Sequence, residues 1–332
     1  MAGGRRRTWL RAGAALALAV AAVLAAGGAA GAPAPPVALR AGKADGPYYG
    51  LAKELVTALG SFATGAPAVA LEESQGSVQN VIDAAGARAR ALFTAPPNVI
   101  KEARHGDKPY GKNPRYQDIR ALFPIPFQTM HWVVREDSGV KTFADLAGRP
   151  FIPGSRGSLG ERQTAALLKL LGIDTKVQLI DIDSSAAPAA LKSKQVIGFA
   201  AAGPYPIPAL RTLAGEVPLR LLSLTPEQRA QQLANDGTTV AMTIPHGTYP
   251  GIDDDIVTVA LPAAVYTTSR LSSKDAYRIT KAFWTVRALL ARSDPAWTSV
   301  TPTQLSMLGT KLHPGALRYY REAGVKIPAE LR

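Results

Sequence analysis

The sequence contains no cysteine. That excludes disulfide staples, thiolate metal sites, iron–sulfur ligation, a catalytic thiol and a lipid-bearing N-terminal cysteine. Histidine is sparse as well: His105, His131, His246 and His313 stand far apart, and none is paired with a carboxylate at helix spacing. The common chemical motifs are also missing. Neither Gly-x-Ser-x-Gly nor His-Glu-x-x-His occurs, there is no P-loop, and no Gly-x-Gly-x-x-Gly follows the first strand-like segment. Asp253-Asp254-Asp255 reads as a solvated turn rather than a cation site. No catalytic centre is legible, so the expectation is a protein that is not an enzyme and carries no cofactor and no metal.

Charge is the next thing in short supply. Only 19% of residues are charged against 47% hydrophobic, a balance that argues for a packed core rather than disorder. The charge present is lopsided, with a net +13. A field of that sign steers anionic solutes or holds a protein near an anionic surface. The basic residues are nevertheless scattered singly or in pairs, without a Lys/Arg stripe interleaved with aromatics, so no nucleic-acid partner is expected.

The apolar run near the N-terminus is short for an ordinary bilayer span of about 20 residues, which favours a cleaved leader over the alternative of an uncleaved anchor. The N-terminus has a basic patch of Arg5, Arg6, Arg7 and Arg11, an alanine-rich apolar stretch over 12–26, and a small-residue tract over 27–34. This is the pattern of a signal peptide, expected over residues 1–31 with cleavage options at 29–32. Arg6-Arg7-Thr8-Trp9-Leu10-Arg11 resembles a twin-arginine signal, so either that route or the general secretory one applies. The protein is therefore expected outside the cytoplasm, periplasmic, with no stable membrane anchor after cleavage and a net charge of about +9.

Beyond the leader, strand-like and helix-like segments alternate. Residues 37–42, 68–72 and 90–94 read as strands. Between them lie a helix with Leu51, Leu55 and Leu59 on one face and another with Val78, Val81 and Ile82, preceded by Ser77 as an N-cap. A second series of alternating elements follows from 129 to 224, the chain returns through 238–244 and 256–264, and it finishes in helices, the longest over 272–292. Alternation of this kind predicts an α/β fold in which each lobe is a mostly parallel sheet flanked by helices. The expected division is 37–128 with 260–332 for the first lobe and 129–259 for the second.

In such sheets ligands bind beyond the carboxyl ends of strands, where helix N-termini aim backbone N–H groups outward. Three loops rich in small residues occupy such positions: 42–49, 74–77 and 154–160. Together they predict a cleft between the lobes with Gly46, Tyr48, Tyr49, Gly76, Ser77, Gly157 and Ser158 as candidate ligand contacts. Arg156 either grips a carboxylate through two parallel hydrogen bonds or pairs with Glu161. Thr94 either offers its hydroxyl or caps a turn. Pro204 and Tyr205 either place a ring over the ligand or stiffen a turn. His131, beside Trp132 in a strand, reads as structural.

Several stretches resemble the TAXI class of TRAP-transporter solute receptors, from about residue 39 to 325. The most specific is Leu312-His313-Pro314-Gly315-Ala316, continuing through Tyr319-Tyr320 to Glu322 and Gly324. Gly46-Pro47-Tyr48-Tyr49, Gly76-Ser77-Val78-Gln79-Asn80, His131-Trp132-Val133-Val134-Arg135 and Asp145-Leu146-Ala147-Gly148-Arg149 add to it. The resemblance implies a two-lobe periplasmic-binding-protein type II-like fold that closes by hinges near 128–135 and 240–259. It also implies TRAP permease subunits as partners, and as solute an amino acid such as glutamate or a dicarboxylate. Where the family has Ser-Gly-Thr, this chain has Ser158-Leu159-Gly160, so the hydroxyl expected at 160 is missing. The other function classes consistent with the residues are a periplasmic ligand sensor or docking module without a transporter and, less favoured, a small-molecule enzyme on the same fold. The enzyme would need a paired acid and base in the cleft, which the sequence does not show.

Overall fold

The computed structural model describes residues 35–44, 46–86 and 91–332. The expected export segment lies outside them. Within 36–332 the chain builds ten strands and nine α-helices among the described residues.

The first half opens with β1 (Val37–Arg40), whose alternate residues Val37 and Leu39 are buried. It is followed by α1 (Pro47–Phe62), whose Leu51, Leu55 and Leu59, four residues apart, face the core as the sequence predicts. Then come β2 (Val69–Glu72), α2 (Ser77–Gly86), β3 (Ala91–Ala95) and α3 (Pro97–His105). Helix α3 is an addition to the sequence reading, which ends that region at Pro96-Pro97. Proline at the first helical position needs no N–H partner and already has helical φ, and Gly106 in the left-handed conformation stops the helix.

The second half carries β5 (Pro150–Ile152), α4 (Leu159–Leu170), β6 (Gln178–Leu179), α5 (Ala187–Lys192), β7 (Gly198–Gly203), α6 (Pro208–Glu216), β8 (Leu219–Leu221), α7 (Pro226–Asn235) and β9 (Val240–Ile244). Two long strands, β4 (Ile119–Arg135) and β10 (Ile256–Thr268), run through both halves. The chain closes with α8 (Ser273–Ser293) and α9 (Pro314–Glu322) on the first.

All strands join one mixed sheet, with the order β2-β1-β3-β10-β4-β7-β5-β6 and with β8 and β9 attached to β4 and β10. The parallel pairing expected of each half holds for β2-β1-β3 and for β7-β5-β6. The long strands add antiparallel pairs, β10 with β3, β4 and β9, and β4 with β7 and β8. Paired to each other from Ile119↔Thr268 to Thr129↔Ala260, they form a double-stranded spine.

Apolar burial divides along this spine. One core combines residues 37–125 with 263–331 and includes Phe123 stacked on Phe283 at 3.9 Å between ring centroids. The second half has a core on each face of its sheet, because strand side chains alternate. Val133 packs with Phe199 and Tyr249 on one face, while Met130, Trp132 and Val134 pack with Phe143 and Leu167 on the other. Gln128 and Thr129 fall between the cores of the two halves.

Candidate functional site

The three loops singled out in the sequence come together. Residues of 41–50, 75–78 and 154–160 line one cleft of about 670 Å³, joined by residues after β6, by β7 and by the segment leading into α6. The rim is set by hydrogen bonds behind it. Asn80, buried in α2, donates to the carbonyls of Arg40, Ala41 and Thr94, tying the ends of β1 and β3 to the helix. Tyr48 donates its hydroxyl to the Pro126 carbonyl at 2.7 Å, so its ring rather than its O–H is what it shows the cleft.

Of the predicted contacts, Gly46, Tyr48, Tyr49, Gly76, Ser77, Arg156, Gly157, Ser158 and Pro204 line this cleft. Thr94 stands apart: its hydroxyl donates to the Ala41 carbonyl at 2.9 Å and fastens the loop from behind. Tyr205 also stands apart, on the far side of its loop in a smaller pocket of about 330 Å³ with Phe127, Met242 and Thr248. Its neighbours Pro204 and Pro206 line both cavities.

Arg156 pairs with Asp181, not with Glu161. Glu161 instead accepts from the amide of Gly157 at 2.5 Å. Ser158 caps α4, accepting from the Glu161 amide at 3.1 Å. Ser77 is not the cap expected of it. Helix α2 begins at Ser77 itself, after Gly76 at φ 113°, and its hydroxyl has no protein partner among the described residues. Nor do the amides of Ser77 and Val78 at the start of α2, or of Leu159 and Gly160 at the start of α4, have protein acceptors among the described residues. Four unpaired donors on two helix N-termini thus face one cavity, an arrangement that favours an anionic group.

Gln128 is the residue that sequence reasoning missed. It sits on β4 at the spine, lines the cleft, and is only 7% exposed. Its side-chain amide has no hydrogen-bond partner among the described residues. Its amide atoms open onto the cleft rather than being sealed in the core, so a ligand group can reach them at this position. No local signal marks it, because a glutamine within an apolar strand run reads equally as an edge position.

Asp183 and Lys43 pair across the cleft, one from each half. Lys43 and the amide and hydroxyl of Ser185 hold the Asp183 carboxyl down to about 2. Glu54, also on the lining, is pushed up by burial while accepting from Trp297 Nε1 at 3.0 Å. Among the described residues no cluster of three His, Cys, Asp or Glu side chains is placed to hold a metal ion.

The resemblance motif at the C-terminus is structural. His313 caps α9, its Nδ1 accepting the Gly315 amide at 3.2 Å while Nε2–H donates to the Leu271 carbonyl at 3.0 Å.

Among solved structures the chain is similar to MatC from Rhodopseudomonas palustris with bound malate, at 14% identity and a TM-score of 0.53, covering 83% of this chain and 90% of that one. It is similar to the periplasmic binding protein BugD at 14% identity and a TM-score of 0.52, covering 89% of this chain and all of that one. A structure described as a periplasmic transporter aligns at 17% identity and a TM-score of 0.51, covering 89% and 94%. These likenesses show the two-lobe α/β fold of periplasmic binding proteins. The NMT1-like family matches residues 39–324, nearly the whole described chain, and the protein belongs to that family.

Proposed function

We propose that this protein is an exported solute receptor that captures a small organic anion between its lobes and presents it to a membrane transporter. Residues 37–128 with 260–332 form one lobe of the clamp in this reading, and 129–259 the other. The observation that carries it is the convergence, from both halves, of unpaired helix-start amides and the unmatched side chain of Gln128 on one cleft. A solute touching both halves holds the closed arrangement by its extra affinity for it, and by no more than that.

The resemblance to TAXI receptors supports TRAP permease subunits as the partner and an extracytoplasmic location. The fold shared with MatC and BugD supports receptor rather than enzyme. We take Gly46, Tyr48, Tyr49, Gly76, Ser77, Gly157, Ser158, Pro204 and Gln128 as the solute contacts. Arg156, committed to Asp181, acts in the loop rather than as the anion clamp. Solute that binds the native state raises the melting temperature. A thermal-shift screen of the mature protein against organic acids and amino acids is expected to give hits of several degrees. A screen that leaves the transition unmoved by every acid and amino acid rules the receptor role out.

A further inference from the structure

The charged side chains around the cleft narrow the solute further, an inference that rests on the receptor reading above. Among the described lining residues two are cationic, Lys43 and Arg156, and three are acidic, Glu54, Asp183 and Asp294. Both cations already face carboxylates: Lys43 that of Asp183, and Arg156 that of Asp181. Asp294 accepts the Ala296 amide at 2.8 Å, and Glu54 accepts from Trp297. The remaining polar equipment is uncharged: the free amides at the starts of α2 and α4, the side chains of Ser77, Gln128, Tyr49 and Gln75, and four serines (Ser155, Ser158, Ser184 and Ser185) already engaged with each other, with Asp183 or with the start of α4. Such donors suit one anionic head, with helix N-termini supplying the favourable potential. They do not suit two, because a second carboxylate has no uncommitted cation on this lining and meets acidic groups instead.

The rest of the described lining mixes uncharged polar side chains with a run of apolar ones. Tyr48, Val78, Leu159, Phe199 and Ile207 belong to that run, and the small residues Ala201 and Ala202 of β7 open space between them. Gly160 enlarges that space. It faces Ala202 across the cleft wall, and a Cβ built on it makes only ordinary contacts, 3.7 Å to Ser158 Oγ and 3.8 Å to Ala202 Cβ. A side chain at position 160 is therefore allowed by the backbone and would take up space beside Ala202, since nothing there clashes and φ is not in the left-handed region.

We infer that the cleft selects a singly charged organic acid with a sizeable apolar body, its carboxylate held by the amides and Gln128, its body seated against Phe199 and Ile207 in the space left by Gly160 and Ala202. The cleft is large enough for a body of aromatic-ring size.

The test compares matched probes on the mature protein by calorimetry and thermal shift: 4-phenylbutanoate, its neutral amide, 4-(4-carboxyphenyl)butanoate, and glutamate and malate. The expected result is that 4-phenylbutanoate binds at least tenfold more tightly than the matched diacid, the amide, glutamate or malate. Gly160→Thr fills the space and is expected to weaken 4-phenylbutanoate at least tenfold, with Gly160→Ala intermediate and both variants melting near the parent. A diacid, glutamate or malate binding as tightly as the monoacid overturns this inference and leaves the receptor role standing. The neutral amide binding equally well removes the anionic head from the proposal. Parent affinity for 4-phenylbutanoate in both Gly160 variants removes the seat assigned to the body. No binding in any arm overturns this inference and leaves the receptor reading to the wider thermal-shift screen.

Discussion

His131 shows how a single buried side chain is set by its partners. Its Nδ1–H donates to the Thr129 carbonyl at 3.0 Å, which leaves Nε2 to accept the Tyr249 hydroxyl at 2.9 Å. The oxygen of Tyr249 in turn accepts the Ile207 amide at 2.9 Å, so a chain of neutral hydrogen bonds links β4 to the cleft wall. Burial pushes the imidazole down to about 4 from its usual 6.5, only partly offset by backbone carbonyls. Between those pH values the unfolded chain holds a proton that the folded chain does not, so stability is complete above 6.5 and falls as pH drops toward 4. The loss is at most about 3 kcal/mol. A thermal melt series from pH 7 to 4 should show this decline, and His131→Gln should flatten it, leaving the smaller contribution of His313, whose ring burial also lowers. Gln128 gives a prediction of another kind. Gln128→Leu keeps the shape but removes the donor and acceptor, so solute affinity should fall about 10- to 100-fold, the range for a hydrogen bond to a charged group. Its melting temperature in the absence of solute should stay level or rise. Unchanged solute affinity by calorimetry would remove Gln128 from the site.

At the level of elements, α9 against α8 explains why a sequence motif can be specific without touching a solute. The cap by His313 fixes the start of α9, and Gly315 in its first turn presses against the first turn of α8. A Cβ at 315 would lie 2.2 Å from the Ser273 carbonyl oxygen and 2.7 Å from the Tyr277 nitrogen. Both obstacles are backbone and cannot swing aside, so Gly315→Ala must separate the helices, at a cost of at least about 1–3 kcal/mol. Differential scanning calorimetry should show a fall of at least about 3 °C, with solute affinity preserved in the protein that remains folded. The spacing of Leu51, Leu55 and Leu59 made α1 legible, and the small residues after each strand made the rim loops legible, because both signals are local. The exact start of α2 was not, since Gly76 at positive φ moves the helix origin by one residue and frees Ser77 from capping.

On the scale of the whole molecule, two ion pairs among the described residues bridge the halves. Lys43 meets Asp183 at the cleft, and Arg162 of α4 meets Glu102 of α3 at 2.5 Å. The groups are about a quarter to two-fifths exposed, so screening limits each pair to roughly 1 kcal/mol or less. Glu102→Lys should therefore weaken solute affinity by no more than about fivefold, and combining it with Arg162→Glu should restore the parent value. Rescue by the reversed pair separates an electrostatic bridge from simple loss of packing. The effect should shrink as salt is raised.

Several properties follow from the sequence alone. Apolar periodicity gives the alternating elements, and small-residue loops after strands give the places where a ligand can approach the backbone. The absence of cysteine and of clustered histidines removes whole classes of chemistry. These are signals carried within a turn of helix or a few strand residues. Only the tertiary structure decides that Arg156 pairs with Asp181, that Thr94 and Tyr205 face away from the main cleft, that Gln128 faces it unmatched, and that β4 and β10 join both halves in one sheet. Those outcomes depend on which distant segments meet and from which side, and a side chain's partner across tens of residues is fixed by packing geometry rather than by its own neighbours in the chain.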